Sequence, residues 1–130
     1  MRTWTADSEA APSTAWTLLS RPELWHEWAP HVRGAWGLGS PEVRDGANGA
    51  ARLLGVVPIP ARISDKRDGE SWTWRVGPVE LVHEVTPRAG GCTITIDMHA
   101  GALEPALAAT YGRVIQLMLN RLARTAETAR

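Results

Sequence analysis

Phenylalanine is missing from this sequence, and tyrosine occurs once, as Tyr111. The remaining aromatic content is seven tryptophans, more than a small core needs to fill space. Each brings a large apolar ring and one N–H that wants a partner when buried. Cysteine also occurs once, at Cys92. That excludes a disulfide within the chain and fits a reducing compartment. Cys92 opens an apolar strand, where a thiol acts as a small buried hydrophobe. Nowhere does an apolar run approach the length of about 18 residues that a membrane-spanning helix needs. Met1-Arg2-Thr3-Trp4-Thr5-Ala6-Asp7 has no apolar segment of the secretory kind, so a cytoplasmic protein is expected. Neither sign of charge dominates, with 14 basic and 14 acidic residues. Without a run of like charge there is no electrostatic grip on nucleic acid or an anionic membrane.

Several chemical signatures are absent too. Gly34-Ala35-Trp36-Gly37-Leu38-Gly39 is rich in glycine but precedes no helix, as a dinucleotide fingerprint must. No phosphate-binding Gly-Lys-Ser/Thr and no Gly-x-Ser-x-Gly elbow occurs, which disfavours nucleotide cofactors and serine hydrolysis. His26 and His31 are five apart across Pro30, a spacing that suits neither a helix face nor a tight metal turn, and His99 has no cysteine beside it. Neither a metal nor a cofactor is expected.

What is present reads as one domain of 130 residues with ordinary hydrophobic (44%) and charged (22%) content. Residues 1–7 form a short strand with Trp4 and Ala6 on one face. Ser8 is a candidate N-cap for a helix from Glu9 to Ser20, with Pro12 in its first turn and Ala15, Trp16 and Leu19 on its apolar face. A second short helix runs from Arg21 to Trp28. Trp25 and Trp28 are three apart on it and share a face.

Strand-like segments follow, separated by turn residues. They are His31 to Leu38 with Val32 and Trp36 in phase, Gly49 to Val57, Ile59 to Lys66, Ser71 to Val76, Val79 to Thr86, and Cys92 to His99. Pro58 and Pro60 favour a sheet edge or a strand end. Asp68-Gly69 and Gly90-Gly91 suit hairpins. Trp72, Trp74 and Val76 alternate with Thr73 and Arg75. Leu81, His83 and Val85 share one face of the next strand.

After Gly101 the period changes. Leu103, Leu107, Tyr111, Val114, Met118, Leu122 and Thr125 recur at three and four, the stripe of one helix of about 24 residues. Such a stripe needs a broad apolar surface, and the concave face of the sheet is the only one large enough. The expected fold is therefore α+β: a curved antiparallel sheet of about six to seven strands around a long C-terminal helix, with two short helices after strand 1. A gap between helix and sheet would hold an apolar molecule. Trp25, Trp28, Val32, Trp36, Trp72 and Trp74 are candidates to line it, together with Leu81, Val85, Leu107 and Met118.

This element order resembles the START/Bet v 1-like superfamily, the helix-grip or SRPBCC group that includes polyketide cyclases and aromatases. The resemblance rests on Ala15-Trp16-Thr17-Leu18-Leu19, on Pro22 to Pro30, on Trp72-Thr73-Trp74-Arg75-Val76, on His83-Glu84-Val85 with Gly90-Gly91-Cys92-Thr93, and on the closing helix. It covers essentially the whole chain. These motifs are patterns of spacing, so they speak to fold more than to function. The resemblance implies that Trp25 lies at the cavity mouth and His83 points into the cavity. It also implies that Arg62 lines the pocket, whereas alternation of Ile59, Ala61 and Ile63 turns Arg62 outward.

Three functions fit this reading. The first is an enzyme without metal or redox cofactor, of the cyclase, dehydratase or isomerase type. The tryptophans would fold a polyketide-like or polyene substrate, His83 would move a proton, and Tyr111 or Arg62 would stabilise developing negative charge. The second is a non-catalytic carrier of a hydrophobic metabolite or lipid. The third is a protein-docking module using the groove or the Trp25–Trp28 region. His83 could equally be a buried histidine satisfied by the core. Asp65 and Asp97 read as surface or turn residues. A monomer or a homodimer is compatible with all three.

Overall fold

A computed structural model describes residues 1–29, 32–53 and 58–128. The chain runs β1 (Arg2–Ser8), α1 (Pro12–Ser20), a 3-10 helix (Pro22–Glu27), β2 (Val32–Trp36), β3 (Asn48–Leu53), β4 (Pro58–Arg67), β5 (Ser71–Val76), β6 (Val79–Arg88), β7 (Gly91–His99), a 3-10 turn (Gly101–Leu103) and α2 (Glu104–Thr128). The seven strands form one sheet in the order β1-β7-β6-β5-β4-β3-β2, with every neighbouring pair antiparallel. The long α2 lies along β1 and also touches β7 and α1. This is the helix-grip α+β architecture. His31 and residues 54–57, which the sequence reading assigned to strands, lie outside the described residues.

Local chemistry accounts for the boundaries. Ser8 does not cap a helix; it ends β1. Its hydroxyl donates to the Ala123 carbonyl of α2 (2.8 Å) and accepts from the Ala10 N–H. The helix starts later, at Pro12, whose fixed φ suits a first turn. Pro58 and Pro60 sit in an interior strand. They pair only with Arg52 and Ala50 of β3, because β4 pairs with β5 from Ala61 onward. The strand is locally an edge there, so a residue without an N–H costs no bond to β5.

Two register shifts set which side chains face inward. One lies between Val32 and Gly34 of β2. It lies before Trp36 and breaks the simple alternation expected for this strand. The other lies between Ile63 and Asp65 of β4. It falls after Arg62, so the simple alternation holds at Ala61, Arg62 and Ile63.

The core occupies one end of the space between sheet and helix. Ile94, Ile96, Val85 and Cys92 of the sheet pack with Ala15, Leu18 and Leu19 of α1 and with Leu119, Leu122, Ala123 and Ala126 from the second half of α2. Polar ties hold α2 in place. Gln116 donates to the Thr5 carbonyl at 2.9 Å and Arg121 to the Glu27 carbonyl at 2.9 Å, while Glu127 accepts from the Glu9 N–H at 2.8 Å.

Gly91 marks a close approach of backbone to backbone. A Cβ there would collide with the Ser8 carbonyl oxygen and crowd Glu9 Cα. We therefore expect Gly91→Ala to destabilise the fold by about 2 kcal/mol or more, read as a lower urea midpoint. A midpoint equal to that of the parent chain would show that β1 and β7 can move apart there at no cost.

Candidate functional site

The wall of the site begins at the end of α1. The last carbonyls of a helix have no partner within it. Here tryptophans supply two of the partners. Trp25 and Trp72 both donate their indole N–H to the Leu19 carbonyl (2.9 and 3.1 Å), and Trp28 donates to the Leu18 carbonyl at 2.9 Å. The Ser20 carbonyl accepts from the Val43 N–H at 2.8 Å. Phenylalanine could not make these bonds, which gives the tryptophan excess a structural reason.

This anchoring brings three rings into a stack. Trp25 lies parallel to Trp72, with centroids 5.3 Å apart, and Trp72 lies parallel to His83 at 3.8 Å. Trp74 stands edge-on to all three. Strand register explains why these side chains meet. Trp72 is paired with His83 and His83 with Ile96, while Trp74 is paired with Leu81 and Leu81 with Met98. Two cross-strand rows thus face α2.

Over these rows the first half of α2 does not reach the sheet. A cavity of about 370 Å³ remains, near the small end of the range of roughly 300–1,000 Å³ usual for ligand pockets. Its floor includes Trp72, Trp74, Leu81, His83, Ile96 and Met98, and its end wall Trp25, Trp28 and Ala29. Leu107, Tyr111, Val114, Ile115 and Met118 of α2 form the roof. The β5–β6 turn, Val76 to Val79, and Ile59 complete the lining. Among the described residues no Asp, Glu, Lys or Arg lines it. A larger hollow of about 480 Å³ lies on the opposite face of the sheet, among Ser64, Asp65, Arg67, Thr73, Glu80 and Glu84. It is polar and offers an apolar molecule nothing.

His83 is 4% exposed. Its Nδ1 lies 3.2 Å from the Trp72 carbonyl oxygen. A carbonyl only accepts, so Nδ1 carries the proton. Burial lowers the pKa to about 3, and the carbonyls of Trp72 and Leu81 oppose that shift only in part. The ring is neutral at physiological pH, and its remaining nitrogen, Nε2, is an acceptor. Among the described residues the ring's one geometrically formed hydrogen bond is that of Nδ1. This tautomer cannot donate to a ligand carbonyl through Nε2.

The structure brings most of the expected lining residues together. Trp25, Trp28, Trp72, Trp74, Leu81, His83, Leu107, Tyr111 and Met118 all line the one cavity. Trp25 and Trp28 are buried at 3% and 4% exposure, so they offer no docking surface to a protein. Tyr111 is 38% exposed, at the rim.

Three residues stand elsewhere. Arg62 is exposed on the outer face of β4, as the uninterrupted alternation requires. It does not line the pocket. Trp36 is 47% exposed, with the Arg52 guanidinium 5.7 Å from its ring centroid. The register shift before Gly34 turned it away from the cavity. Val85 is buried two residues beyond His83, where α1 packs on β6 and closes the space. The side chain of Val32 lies outside the described residues. Asp65 is exposed, and Asp97 accepts from the Thr3 hydroxyl at 2.7 Å. Ile59, Val79, Val114 and Ile115 are lining residues that sequence reasoning did not single out. Val114 was legible in the α2 stripe; Val79 and Ile59 depend on where strands end, which spacing does not show.

The comparisons with known proteins agree with this architecture. Residues 3–127 match the family described as "Polyketide cyclase / dehydrase and lipid transport". The chain belongs to that family. Among solved structures it is similar to DynU16, described as a protein in the dynemicin biosynthetic locus, with 17% identity and a TM-score of 0.79. That match covers 97% of this chain but 46% of DynU16, so the chain spans less than half of that protein. A protein of Thermobifida fusca is 20% identical over 97% of this chain and 93% of its own, with a TM-score of 0.76. Ara h 8.0201 is 10% identical over 98% and 97%, with a TM-score of 0.72. At these identities the likeness is one of fold. A search of curated proteins finds no match. No helix among the described residues is long and apolar enough to cross a membrane.

The state of His83 has a measurable consequence. An unfolded histidine titrates near 6.5 and the folded one near 3. Between these values the unfolded chain binds a proton that the folded chain refuses. The contribution of His83 to stability is therefore intact above about pH 6.5 and is lost as pH falls toward 3. In urea unfolding, lowering the pH from 7 to 4.5 should cost the parent chain about 2 kcal/mol more than His83→Phe. Equal losses would mean that the imidazole titrates normally in the fold.

Proposed function

We propose that this protein binds one small, uncharged, mostly apolar molecule between the first half of α2 and the β5–β6–β7 face. The observation that carries this reading is the cavity itself. It has aromatic and aliphatic walls, few polar atoms and, among the described residues, no charged side chain. Removing apolar ligand surface from water supplies the affinity, at about 25 cal/mol per Å². An ionised ligand would lose its hydration with nothing to offset it. The floor tryptophans are held by backbone carbonyls and by each other, so little side-chain ordering is needed on binding.

A cofactor-independent cyclase or dehydratase is the second reading. The family description favours it, as does the placement of His83 and Tyr111 on one cavity. In that case the cavity would act chiefly as a mould, holding a flexible chain in a reactive shape. A histidine with a pKa near 3 is a weak base at neutral pH. The geometry therefore supports binding further than it supports proton transfer.

Both readings require occupancy of the same space. Titration with neutral bicyclic aromatics should change tryptophan emission, because Trp25, Trp72 and Trp74 form the wall. Val114→Trp, which places a ring in the cavity from the roof, should abolish that response while leaving the fold intact by circular dichroism. Arg62→Ala, on the outer face, should leave it unchanged. A response that survives Val114→Trp would place the ligand elsewhere. Mass spectrometry of natural ligand recovered after long incubation separates the two readings, since a carrier returns it unaltered.

A further inference from the structure

Resting on the binding reading, we propose that His83 makes the cavity selective for a flat ligand that donates a hydroxyl proton, a phenol or an enol. The argument starts from the hydrogen bonds the wall has already used. The indole N–H groups of Trp25, Trp28 and Trp72 are committed to Leu18 and Leu19. His83 Nδ1–H is committed to the Trp72 carbonyl. His83 lines the cavity and only its Nδ1 is bonded, which leaves Nε2 as the acceptor for a ligand that displaces water there. A buried acceptor left without a donor is costly, so a ligand that supplies one gains over an analogue that cannot.

Trp74 is 6% exposed, its indole N–H has no partner, and its ring stands 6.1 Å from His83 by centroids. That N–H is itself enclosed, so the atom this wall leaves to a ligand is the His83 acceptor. A hydroxyl both donates and accepts, whereas a carbonyl or an ether only accepts. An alkyl amine would enter as a cation, and a carboxylic acid as an anion. With no charged side chain in the lining among the described residues, neither finds a counter-charge there. Flatness follows from the aromatic walls, where rings pack face to face or edge to face. Among neutral hydroxyls, phenols and enols are the flat ones and the stronger donors.

The test compares four probes of one shape: 2-naphthol, 2-methoxynaphthalene, naphthalene and 2-naphthoate. Binding is followed by tryptophan emission and calorimetry at neutral pH, with the parent chain and His83→Phe. The parent should bind 2-naphthol about tenfold or more tighter than the ether or the hydrocarbon, and 2-naphthoate most weakly. His83→Phe should lose the preference, binding 2-naphthol no more tightly than 2-methoxynaphthalene. In the parent, the ¹⁵N resonance of His83 Nε2 should move on adding 2-naphthol and not on adding the ether. That measurement and the comparison of probes stand without the variant, should it fail to fold. Equal affinity for 2-naphthol and its ether in the parent would overturn the inference, as would a preference that persists in His83→Phe or 2-naphthoate binding as well as 2-naphthol. The first two outcomes leave the cavity reading intact, and the third also removes its restriction to uncharged ligands. If none of the four binds, the cavity reading falls as well.

Discussion

A single carbonyl oxygen, that of Leu19, organises this protein. It accepts from two indoles, one on the 3-10 helix and one on β5. The end of α1 is thereby tied both to the segment that follows it and to a strand 53 residues away in the chain. The face-to-face packing of Trp25, Trp72 and His83 depends on this shared acceptor. So does the depth of the cavity, since the stack fixes how far the end wall stands from the roof. Loss of both N–H groups would leave a helix-end carbonyl without a partner in a buried place, a change with a cost of about 1–3 kcal/mol.

The sheet face that grips α2 is used in two ways. At one end Ile94, Val85, Leu119 and Leu122 meet α1 and the second half of α2 in a filled core. At the other, larger rings line the strands, but the first half of α2 stands off. One helix therefore serves as core at its C-terminal end and as roof at its N-terminal end. Gly112 sits at the transition, where a Cβ would come within 3.3 Å of the Trp4 ring. The small residue lets α2 approach β1 at that point, and from there the helix passes over the cavity.

Much of the fold was legible in the sequence because its signals are local and regular. The period of three and four after Gly101 marks α2, and alternation through β5, β6 and β7 places Trp72, Trp74, Leu81 and His83 on one face. The spacing of Trp25 and Trp28 places both indoles toward α1. The failures have a common origin in single-residue irregularities. One register shift in β2 was enough to turn Trp36 outward. The absence of such a shift before Arg62 left that residue outside too, where alternation had put it and family resemblance had not. The limit of the cavity at Val85 could not be read at all, because it depends on where α1 lies against β6. The protonation of His83 was equally hidden. It is decided by the distance from Nδ1 to one carbonyl and by the exclusion of water, neither of which is a property of spacing.

The two ends of α2 also differ in what they can tolerate. A side chain in the filled end is enclosed by neighbours, and altering its volume leaves a hole or forces a clash. One that borders the empty end faces space, so a change there reshapes the hollow while removing few contacts. Val79, Val114 and Met118 can therefore vary at little cost to folding, and the preferred guest can drift from one descendant of this chain to another while the scaffold around it stays the same.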